Sequence, residues 1–293
     1  MSTNKISKPR QLLNCPAPAK LNLFLHVVGR RPDGYHLLQS AFQLIDRCDS
    51  LDFYVREDAQ IRRMNAIEGI PEAEDLVIRA ARLLQQHTQT QLGADIVLHK
   101  VLPMGGGLGG GSSDAATTLI ALNYLWDTQL SQSELMELGL QLGADVPFFI
   151  FGENAFVEGI GEQMQALPSS GLWYVVIEPG VHTPTPRIFS AKELTRNTKI
   201  VTISDFSSAV ANNWRNDLQS VACNLFPEIQ LAINWLNEFG SGANKAQMTG
   251  SGACVFCAFS NEEVAIKIQK QVPKHWTSWS ASAVNQHPML NYL

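Results

Sequence analysis

The chain has 293 residues, of which 45% are hydrophobic and 17% charged, and its formal net charge is -5. A chain of this length can bury more than one core, so we expect a globular protein of two domains, residues 1–160 and 161–293. The weakly acidic balance gives no overall attraction for polyanions, which argues against a nucleic-acid-binding or polybasic membrane-surface protein. Any phosphate site must therefore be local.

Residues 1–14 are polar and contain no apolar stretch of the kind found in secretory signals. No segment approaches about 18 consecutive apolar residues, so the sequence predicts no membrane span. The five cysteines are scattered, which is typical of free thiols in a reducing compartment. We therefore expect a cytoplasmic protein that binds neither membranes nor nucleic acid.

The first predicted strand is residues 21–28, which are rich in Leu, β-branched and aromatic side chains. Because side chains alternate along a strand, Lys20 and Asn22 share one face. The same alternation predicts that Phe24 and His26 lie on that face too. We interpret His26 as a packed, hydrogen-bonded histidine, since no base or metal-binding set accompanies it.

The rest of the chain alternates strand and helix patterns, which predicts an α+β fold. A segment rich in Gly, Pro and Ser, residues 159–170, is the candidate domain boundary. A turn is predicted at 30–34, and a strand pair at 148–156. The other predicted strands are 51–55, 94–102, 173–178, a strand near 246, 254–259 and 278–284. The predicted helices are 76–86, 112–126, 131–142, 187–193, 214–221, 227–239 and 262–271.

One helix boundary singles out a carboxylate. Ser131 and Glu134 have the spacing of a capping box that starts a helix, and Gly143 suits the position that ends it. Pro147 disfavours helix at the residue before it, so we expect Asp145 to have a fixed, non-helical backbone. A fixed carboxylate is suited to accept a proton from a hydroxyl group.

Residues 105–111 hold six glycines in seven positions, immediately before a predicted helix. Glycines at this density are costly without a use, because each adds conformational entropy to the unfolded chain. A helix N-terminus presents unpaired amides and a partial positive charge, and glycines let a phosphate approach the backbone. The pattern favours a phosphate-binding loop; a tight strand-to-helix connection is the alternative.

Three known phosphate loops fit poorly. A Walker A loop requires a lysine, but Gly111 is followed directly by Ser112. Gly105, Gly107 and Gly110 satisfy a dinucleotide-binding Gly-x-Gly-x-x-Gly, yet the next helix leads to another helix and not to a second parallel strand. A protein-kinase loop would require His-Arg-Asp and Asp-Phe-Gly motifs, and the chain contains neither.

The loop instead resembles the second motif of the GHMP kinases, the superfamily of galactokinase, homoserine, mevalonate and phosphomevalonate kinases. Its form is Pro-x-x-x-Gly-Leu-x-x-x-Ser-Ser. Two further motifs of that family occur in the right order, at residues 18–23 and 249–256. Residues 33–36 and 143–147 resemble a subgroup whose acceptor carries cytidine. The resemblance runs from about residue 16 to about residue 288.

The resemblance implies an α+β, two-domain GHMP kinase fold. The N-terminal domain would be ribosomal-protein-S5-domain-2-like and the C-terminal domain ferredoxin-like, with the site between them. The implied reaction transfers the γ-phosphoryl group of ATP, with Mg²⁺, to a hydroxyl of a small-molecule substrate that has a cytidine diphosphate moiety. Such a step belongs to non-mevalonate isoprenoid synthesis. We expect a monomer or a weak homodimer.

The resemblance assigns two catalytic residues, Lys20 and Asp145. Asp145 would be the general base, kept ionised by Lys20 near the transferred phosphoryl group. From the residues alone, a plain salt bridge is the alternative. We assign no metal-ligating residue and hold Ser112 only as a candidate. The loop residues assigned to ATP are Pro103, Met104, Gly105, Gly106, Gly107, Leu108, Gly109, Gly110, Gly111, Ser112 and Ser113.

The acceptor residues are also assigned by resemblance. Tyr35 and His36 follow a Pro-Asp-Gly turn, where an aromatic side chain can stack on a planar ligand. Tyr35 would stack on cytosine and His36 would bond the edge of the base. Phe189 would close the other face of the base, a core position being its alternative. The residues assigned to the acceptor are Asn22, Tyr35, His36, Thr185 and Phe189.

Other positions carry weaker signals. The glycine turn at 250–252 alone predicts a hairpin, and the resemblance makes it a wall of the active site. Cys254 and Cys257 lie on an apolar strand without partner ligands, so we interpret them as core residues. Asp75 replaces an Asn common in relatives, which leaves any adenosine contact there open. Asp114 varies with Asn in the family.

Two other functions compete with this interpretation. A homoserine or mevalonate kinase would share the loop, but the Asp-Gly-Tyr-His of residues 33–36 argues for an acceptor with a base. A non-enzymatic sensor could keep the ATP loop alone, and the joint presence of Lys20 and Asp145 argues against it.

Overall fold

The computed structural model describes residues 9–207, 214–240 and 245–293. Within these residues the chain forms two β-sheets with helices packed on them, which confirms the α+β class. The strands of the first sheet are β1 (Gln11–Arg30), β2 (His36–Arg56), β3 (Ile61–Arg63), β4 (Gly93–His99), β5 (Ala155–Gly159) and β6 (Gln163–Ala166). Their order is β3-β4-β2-β5-β6, with β1 paired to β2.

The two longest strands, β1 and β2, form an antiparallel hairpin with 20 and 21 residues. The predicted strands at 21–28 and 51–55 are only parts of them. The register of the pair shifts at four places along β1, and such bulges bend a strand. The hairpin therefore contributes side chains both to the core under the helices and to a core shared with the second sheet.

Four helices cover one face of the first sheet: α1 (Leu76–Thr88), α2 (Gly110–Leu125), α3 (Gln132–Leu142) and α4 (Val146–Phe151). The central helix is α2, and it is buried on nearly every side, as expected of a helix without a polar face. The capping box of Ser131 and Glu134 is confirmed, and it fixes the start of α3. Gly143 ends α3 with extended backbone, not the left-handed conformation typical of a helix-ending glycine.

The second sheet has four antiparallel strands, β7 (Trp173–Glu178), β8 (Gln247–Met248), β9 (Val255–Phe259) and β10 (Thr277–Ser282), in the order β10-β7-β9-β8. The helices of this half are α5 (Thr185–Ser190), α6 (Ile203–Ser207), α7 (Gln219–Leu225), α8 (Pro227–Asn237) and α9 (Glu262–Gln269). Cys254 and Cys257 are completely buried in the hydrophobic cores, which confirms them as core residues.

A third core joins the two sheets. Leu21 of β1 and Leu108 of the glycine loop pack with Tyr174 and Phe256 of the second sheet. This packing holds the glycine loop and the turn at 250–252 between the sheets. Strand β6 pairs with β5 and so extends the first sheet to Ala166. The division at residues 160 and 161 stays a prediction. Of the described residues, none form a helix with the length and apolar composition needed to cross a membrane.

The segment after Asp145 was predicted wrongly. We expected a strand pair at 148–156, but the first half is the helix α4, with Pro147 in its first turn. Proline is tolerated there because the first amides of a helix have no intrahelical acceptor. Asp145 caps this helix with φ -84° and ψ -14°, so its backbone is helical and the prediction of a non-helical backbone was wrong. The carboxylate is nevertheless held, because α4 is packed in the core.

Helix α7 begins at Gln219, so the predicted helix at 214–221 was largely wrong. Asn216 explains the difference: its side-chain amide donates to the carbonyls of Met248 and Gly250, at 2.9 and 2.7 Å. The backbone before α7 pairs with Leu25 of β1 instead of forming a helix. Helix α6 was not predicted at all.

Candidate active site

Three sequence motifs meet around the middle of β1, at Lys20 and Asn22. The backbone amide of Lys20 donates to the carbonyl of Leu108 at 3.0 Å, which places the strand beside the glycine loop. Thr249, from the glycine turn, is completely buried between them. Its hydroxyl lies 3.2 Å from both the side-chain oxygen of Asn22 and the carbonyl of Gly107. One threonine thus connects the strand, the loop and the turn.

Lys20 and Asp145 are brought together as predicted, with 3.8 Å between Nζ and Oδ2. That separation makes an ion pair, although it is too long for a good hydrogen bond. The Lys20 side chain is 4% exposed, whereas that of Asp145 is 36% exposed, so the carboxylate is the more accessible partner of the pair. Burial lowers the pKa of Lys20, and the charge of Asp145 opposes that shift.

Asn22 is oriented by hydrogen bonds on each side. Its oxygen accepts from Lys20 Nζ at 2.5 Å, and its amide nitrogen donates to Ser40 at 2.9 Å. The Lys20 ammonium also lies 4.9 Å from the centre of the Phe42 ring. Because each of these partners is fixed, the ammonium and the amide are held in place before any ligand arrives.

Phe24 and His26 do not share the face of Lys20 and Asn22, so that prediction was wrong. The register of β1 against β2 shifts between Asn22 and Phe24, and one extra residue reverses the alternation. Phe24 packs in a separate cluster with Phe156. His26 is packed as expected but not hydrogen-bonded, since neither of its ring nitrogens has a partner among the described residues.

A cavity of about 330 Å³ lies over the N-terminus of α2. The ten consecutive residues 103–112 contribute to its lining, together with the start of α1. Gly109 caps α2 with a left-handed backbone, φ +73°, so the first amides of the helix point out of its end without intrahelical acceptors. Ser113 is buried and does not line this cavity; its hydroxyl has no partner among the described residues.

The glycines of the loop serve different purposes. A Cβ on Gly107, whose φ is +76°, would lie 2.1 Å from the carbonyl oxygen of Thr249. Gly107 is therefore required for contact with the glycine turn, whatever it does for a ligand. A Cβ on Gly110 would meet Leu102 at 3.3 Å and Lys100 Nζ at 3.4 Å, which a small shift relieves.

Lys100 supplies positive charge to this cavity, and sequence analysis missed it. Its ammonium lies 2.5 Å from Asp49 and 2.9 Å from Asp114, both of them buried. Burial would lower the pKa of Lys100, but the two carboxylates outweigh it and raise the pKa. Burial, together with the charge of Asp49, raises the pKa of Asp114 to about 8, although Lys100 opposes the shift.

Asp75, whose adenosine contact the family resemblance left open, also lines this cavity. Its side chain accepts from the amide of Val77 at 2.9 Å and so caps α1. It also pairs with Arg63 at 2.7 Å, and both side chains are nearly buried. The carboxylate is therefore already engaged by the fold.

A second cavity, of about 850 Å³, continues from the first. Both cavities are lined by Gly105, Gly107, Gly109 and Ser112, so these residues mark their junction. Lys20, Asn22 and Asp145 line the second cavity only.

The remaining residues that the sequence assigned to the acceptor all line this second cavity: Tyr35, His36, Thr185 and Phe189. Tyr35 is 62% exposed, so the face of its ring is accessible to a ligand. The rings of His36 and Phe189 are 5.0 Å apart and tilted by 35°. The hydroxyl of Thr185 lies 2.7 Å from that of Ser251, which links α5 to the glycine turn.

The described residues contain no cluster of three or more His, Cys, Asp or Glu side chains that could hold a metal ion. Ser112 lies at the junction of the cavities, so it stays the candidate contact for a metal ion that accompanies a nucleotide.

Comparison with known proteins identifies the class. Residues 75–153 match the GHMP kinases N terminal domain, and residues 192–278 match the GHMP kinases C terminal domain. A crystal structure of a homoserine kinase from Cytophaga hutchinsonii is 17% identical, covers 98% of each chain and has a TM-score of 0.66, a likeness of fold. The chain is therefore built as a small-molecule kinase of this class.

More similar relatives narrow the family. A 4-diphosphocytidyl-2-C-methyl-D-erythritol kinase from Herminiimonas arsenicoxydans is 61% identical over 96% of this chain and 98% of its own. One from Janthinobacterium is 60% identical over 95% of this chain and 96% of its own. A crystal structure of 4-(cytidine 5'-diphospho)-2C-methyl-D-erythritol kinase is 31% identical, with a TM-score of 0.78, and the match covers 93% of this chain and 98% of that one. The chain belongs to the GHMP kinases and, within them, to the family of the 4-diphosphocytidyl-2-C-methyl-D-erythritol kinases.

Proposed function

We propose that this kinase phosphorylates the 2-hydroxyl of 4-diphosphocytidyl-2-C-methyl-D-erythritol with ATP, a step of the methylerythritol phosphate route to isoprenoids. The observation that carries the proposal is the junction of the two cavities, where the glycine loop meets the side of the larger cavity that holds Lys20 and Asp145. A phosphoryl group that crosses from one cavity to the other passes these side chains.

The smaller cavity fits the triphosphate of ATP. Unpaired amides at the N-terminus of α2 and the ammonium of Lys100 both favour an anion there. ATP supplies the γ-phosphoryl group, and a magnesium ion that accompanies it would lie near Ser112. The apolar side chains of Ile70, Leu76 and Met104 line the same cavity and provide room for a base.

Asp145 and Lys20, which line the larger cavity, are the catalytic residues of this proposal. Asp145 accepts the proton of the acceptor hydroxyl, because its carboxylate opens to the cavity beside the junction. Lys20, at 3.8 Å, forms an ion pair with that carboxylate and adds positive charge near the transferred phosphoryl group. Asn22 holds the Lys20 ammonium and contacts the acceptor.

The acceptor base lies at the other end of this cavity. Tyr35 stacks on the cytosine, Phe189 closes the opposite face and His36 bonds the edge of the base. Thr185 contacts the acceptor from α5. We also propose that the protein is cytoplasmic and a monomer or weak homodimer.

Release of ADP with purified protein tests the proposal. We expect turnover with Mg-ATP and 4-diphosphocytidyl-2-C-methyl-D-erythritol, and none with homoserine or mevalonate. Phosphorus NMR of the product should show a new phosphomonoester while the diphosphate stays intact. Turnover of mevalonate or homoserine alone would restrict the assignment to the superfamily, and binding of ATP without any turnover would favour the sensor.

A further inference from the structure

Arg196 contacts two residues of the acceptor cavity from outside it. It follows α5, is half-buried and is not among the described residues that line the cavity. Its Nε donates to Nε2 of His36 at 3.1 Å, and its Nη2 donates to the carbonyl oxygen of Phe189 at 2.9 Å. One guanidinium therefore joins a residue at the start of β2 to a residue at the end of α5.

Two further hydrogen bonds fix the guanidinium itself. Nη2 also donates to the carbonyl of Ala191 at 2.7 Å, and Nη1 donates to that of Leu194 at 3.0 Å. Since a guanidinium is rigid and planar, four bonds in different directions leave it little freedom. Arg196 is thus a fixed donor to His36.

This contact decides where the hydrogen of the His36 ring lies. A guanidinium has only donors, so Nε2 of His36 must be the acceptor. In a neutral imidazole the hydrogen then belongs to Nδ1. Burial lowers the pKa of His36, and the nearby charges of Arg196 and Arg30 lower it further, in agreement with a neutral ring.

A ring held in this form can distinguish two pyrimidines. Cytosine has an acceptor at N3, whereas uracil has an N–H there. A fixed Nδ1–H therefore pairs with N3 of cytosine and opposes N3–H of uracil, since two donors cannot share a bond. Without Arg196, the imidazole could take either tautomer and turn an acceptor towards uracil.

We propose that Arg196 is a positioning residue that sets the choice of base: it fixes His36 as an Nδ1–H donor and holds the backbone of Phe189 beside it, which selects an acceptor with cytosine over one with uracil. This inference rests on the proposed function, because it assumes that a pyrimidine lies between these residues.

Calorimetric titration with CDP and with UDP, in the absence of ATP, tests the choice of base. We expect the wild-type protein to bind CDP at least about tenfold more tightly than UDP, the difference that one unpaired donor makes. Arg196→Met should raise the Kd for CDP about tenfold and reduce the preference for CDP over UDP to less than about threefold. Arg196→Lys should lie between the two, because an ammonium cannot reproduce the fork. In turnover, Arg196→Met should raise the acceptor KM and leave kcat and the KM for ATP nearly unchanged.

Arg56→Met is the matched control, because the Arg56 guanidinium is likewise held by several hydrogen bonds, three to Asp58 and Asp95, and Arg56 lines neither cavity. It should keep the wild-type preference. If Arg196→Met keeps the preference as well, the inference is wrong and the proposed function stands. A wild-type protein that binds CDP and UDP equally contradicts both.

Nitrogen-15 NMR of the wild-type histidines needs no variant, and so covers the case in which Arg196→Met does not fold. The spectrum should show His36 with its hydrogen on Nδ1 and Nε2 as an acceptor. A ring with the hydrogen on Nε2 would overturn the inference.

Discussion

The two cavities of this kinase are built in opposite ways. The smaller cavity, which we propose binds the nucleotide, is lined largely by one continuous segment, residues 103–112, most of which is glycine backbone. The larger cavity, which we propose binds the acceptor, is lined by side chains from β1, β2, α5 and the glycine turn, which are far apart in the sequence. Kinases of this class share ATP and its phosphate chain, whereas the acceptor differs from one kinase to another. Backbone amides suit the constant part, and side chains suit the part that must discriminate.

The two cavities also differ in how strongly their residues are tied to the stability of the fold. The glycine loop is held by backbone contacts with the turn at 250–252, so a change there disturbs the fold as well as the ligand. Tyr35 at the acceptor end is exposed and has few constraints, so a change there should alter recognition alone. The predictions below test that separation.

The largest effect is expected at the junction. Asp145→Asn should lower kcat by roughly 10²–10⁴, because the acceptor hydroxyl loses its proton acceptor, while ATP binding persists. Lys20→Met should have a similar effect. The double variant should lose far less than the product of the two losses, since residues that act as a unit are not additive. Single-turnover rates together with the Kd for ATP measure this; near wild-type turnover of Asp145→Asn would remove it from the base role.

The second-largest effect is expected in the glycine loop, where substitutions of Gly107 and Gly110 should have different consequences. Gly107→Ala should lower the free energy of unfolding by about 2–4 kcal/mol, because a Cβ would strain a left-handed backbone and overlap the carbonyl of Thr249. Gly110→Ala should change stability by less than about 1 kcal/mol, since helix N-termini tolerate alanine, and raise the KM for ATP instead. Urea unfolding with ATP kinetics compares them. Equal stability of both variants would mean that the loop is not held by the turn.

The third effect tests recognition at the far end. Tyr35→Ala should raise the acceptor KM by roughly ten- to a hundredfold, since stacking of a base on an aromatic is worth about 1–3 kcal/mol. The KM for ATP should barely move. Tyr35→Phe is the matched control and should be nearly silent, because the ring face does the stacking. An unchanged acceptor KM in Tyr35→Ala would mean that Tyr35 is not the residue that stacks on the base.

The contiguous features of the fold were the ones that the sequence could predict. The capping box that starts α3 and the glycine loop before α2 depend on neighbours in the chain, and both were recognised. Lys20 and Asp145 were paired only through family resemblance, because nothing in their spacing requires a contact. Pro147 was misread, since a proline marks the first turn of a helix as readily as its end.

The missed residues depend on tertiary contacts. The bulge that turns Phe24 away from the site comes from pairing with β2, which periodicity within one strand cannot reveal. Lys100 stands alone before the loop, and its role follows only from Asp49 and Asp114, which come from distant elements. Its position three residues before the loop was the available signal.

The smallest effect on catalysis is expected at Asp114, under the nucleotide cavity. Its pKa is raised to about 8, so between roughly pH 4 and 8 the folded state keeps a proton that the unfolded state releases. Stability of the wild-type protein should therefore fall as pH rises through that range, by at most about 1.4 kcal/mol per unit from this group.

Asp114→Asn removes this dependence and still offers an oxygen to Lys100, so its advantage in thermal stability over the wild type should grow from pH 6 to 8 and then level off. Glu72→Gln, at an exposed carboxylate, is the control for the loss of a negative charge from the surface. The KM for ATP of Asp114→Asn should stay within about threefold of wild type, since Asp49 still holds Lys100. A stability difference between Asp114→Asn and wild type that is flat with pH would mean that Asp114 is ionised in the folded protein, and that Lys100 is then held by two full negative charges.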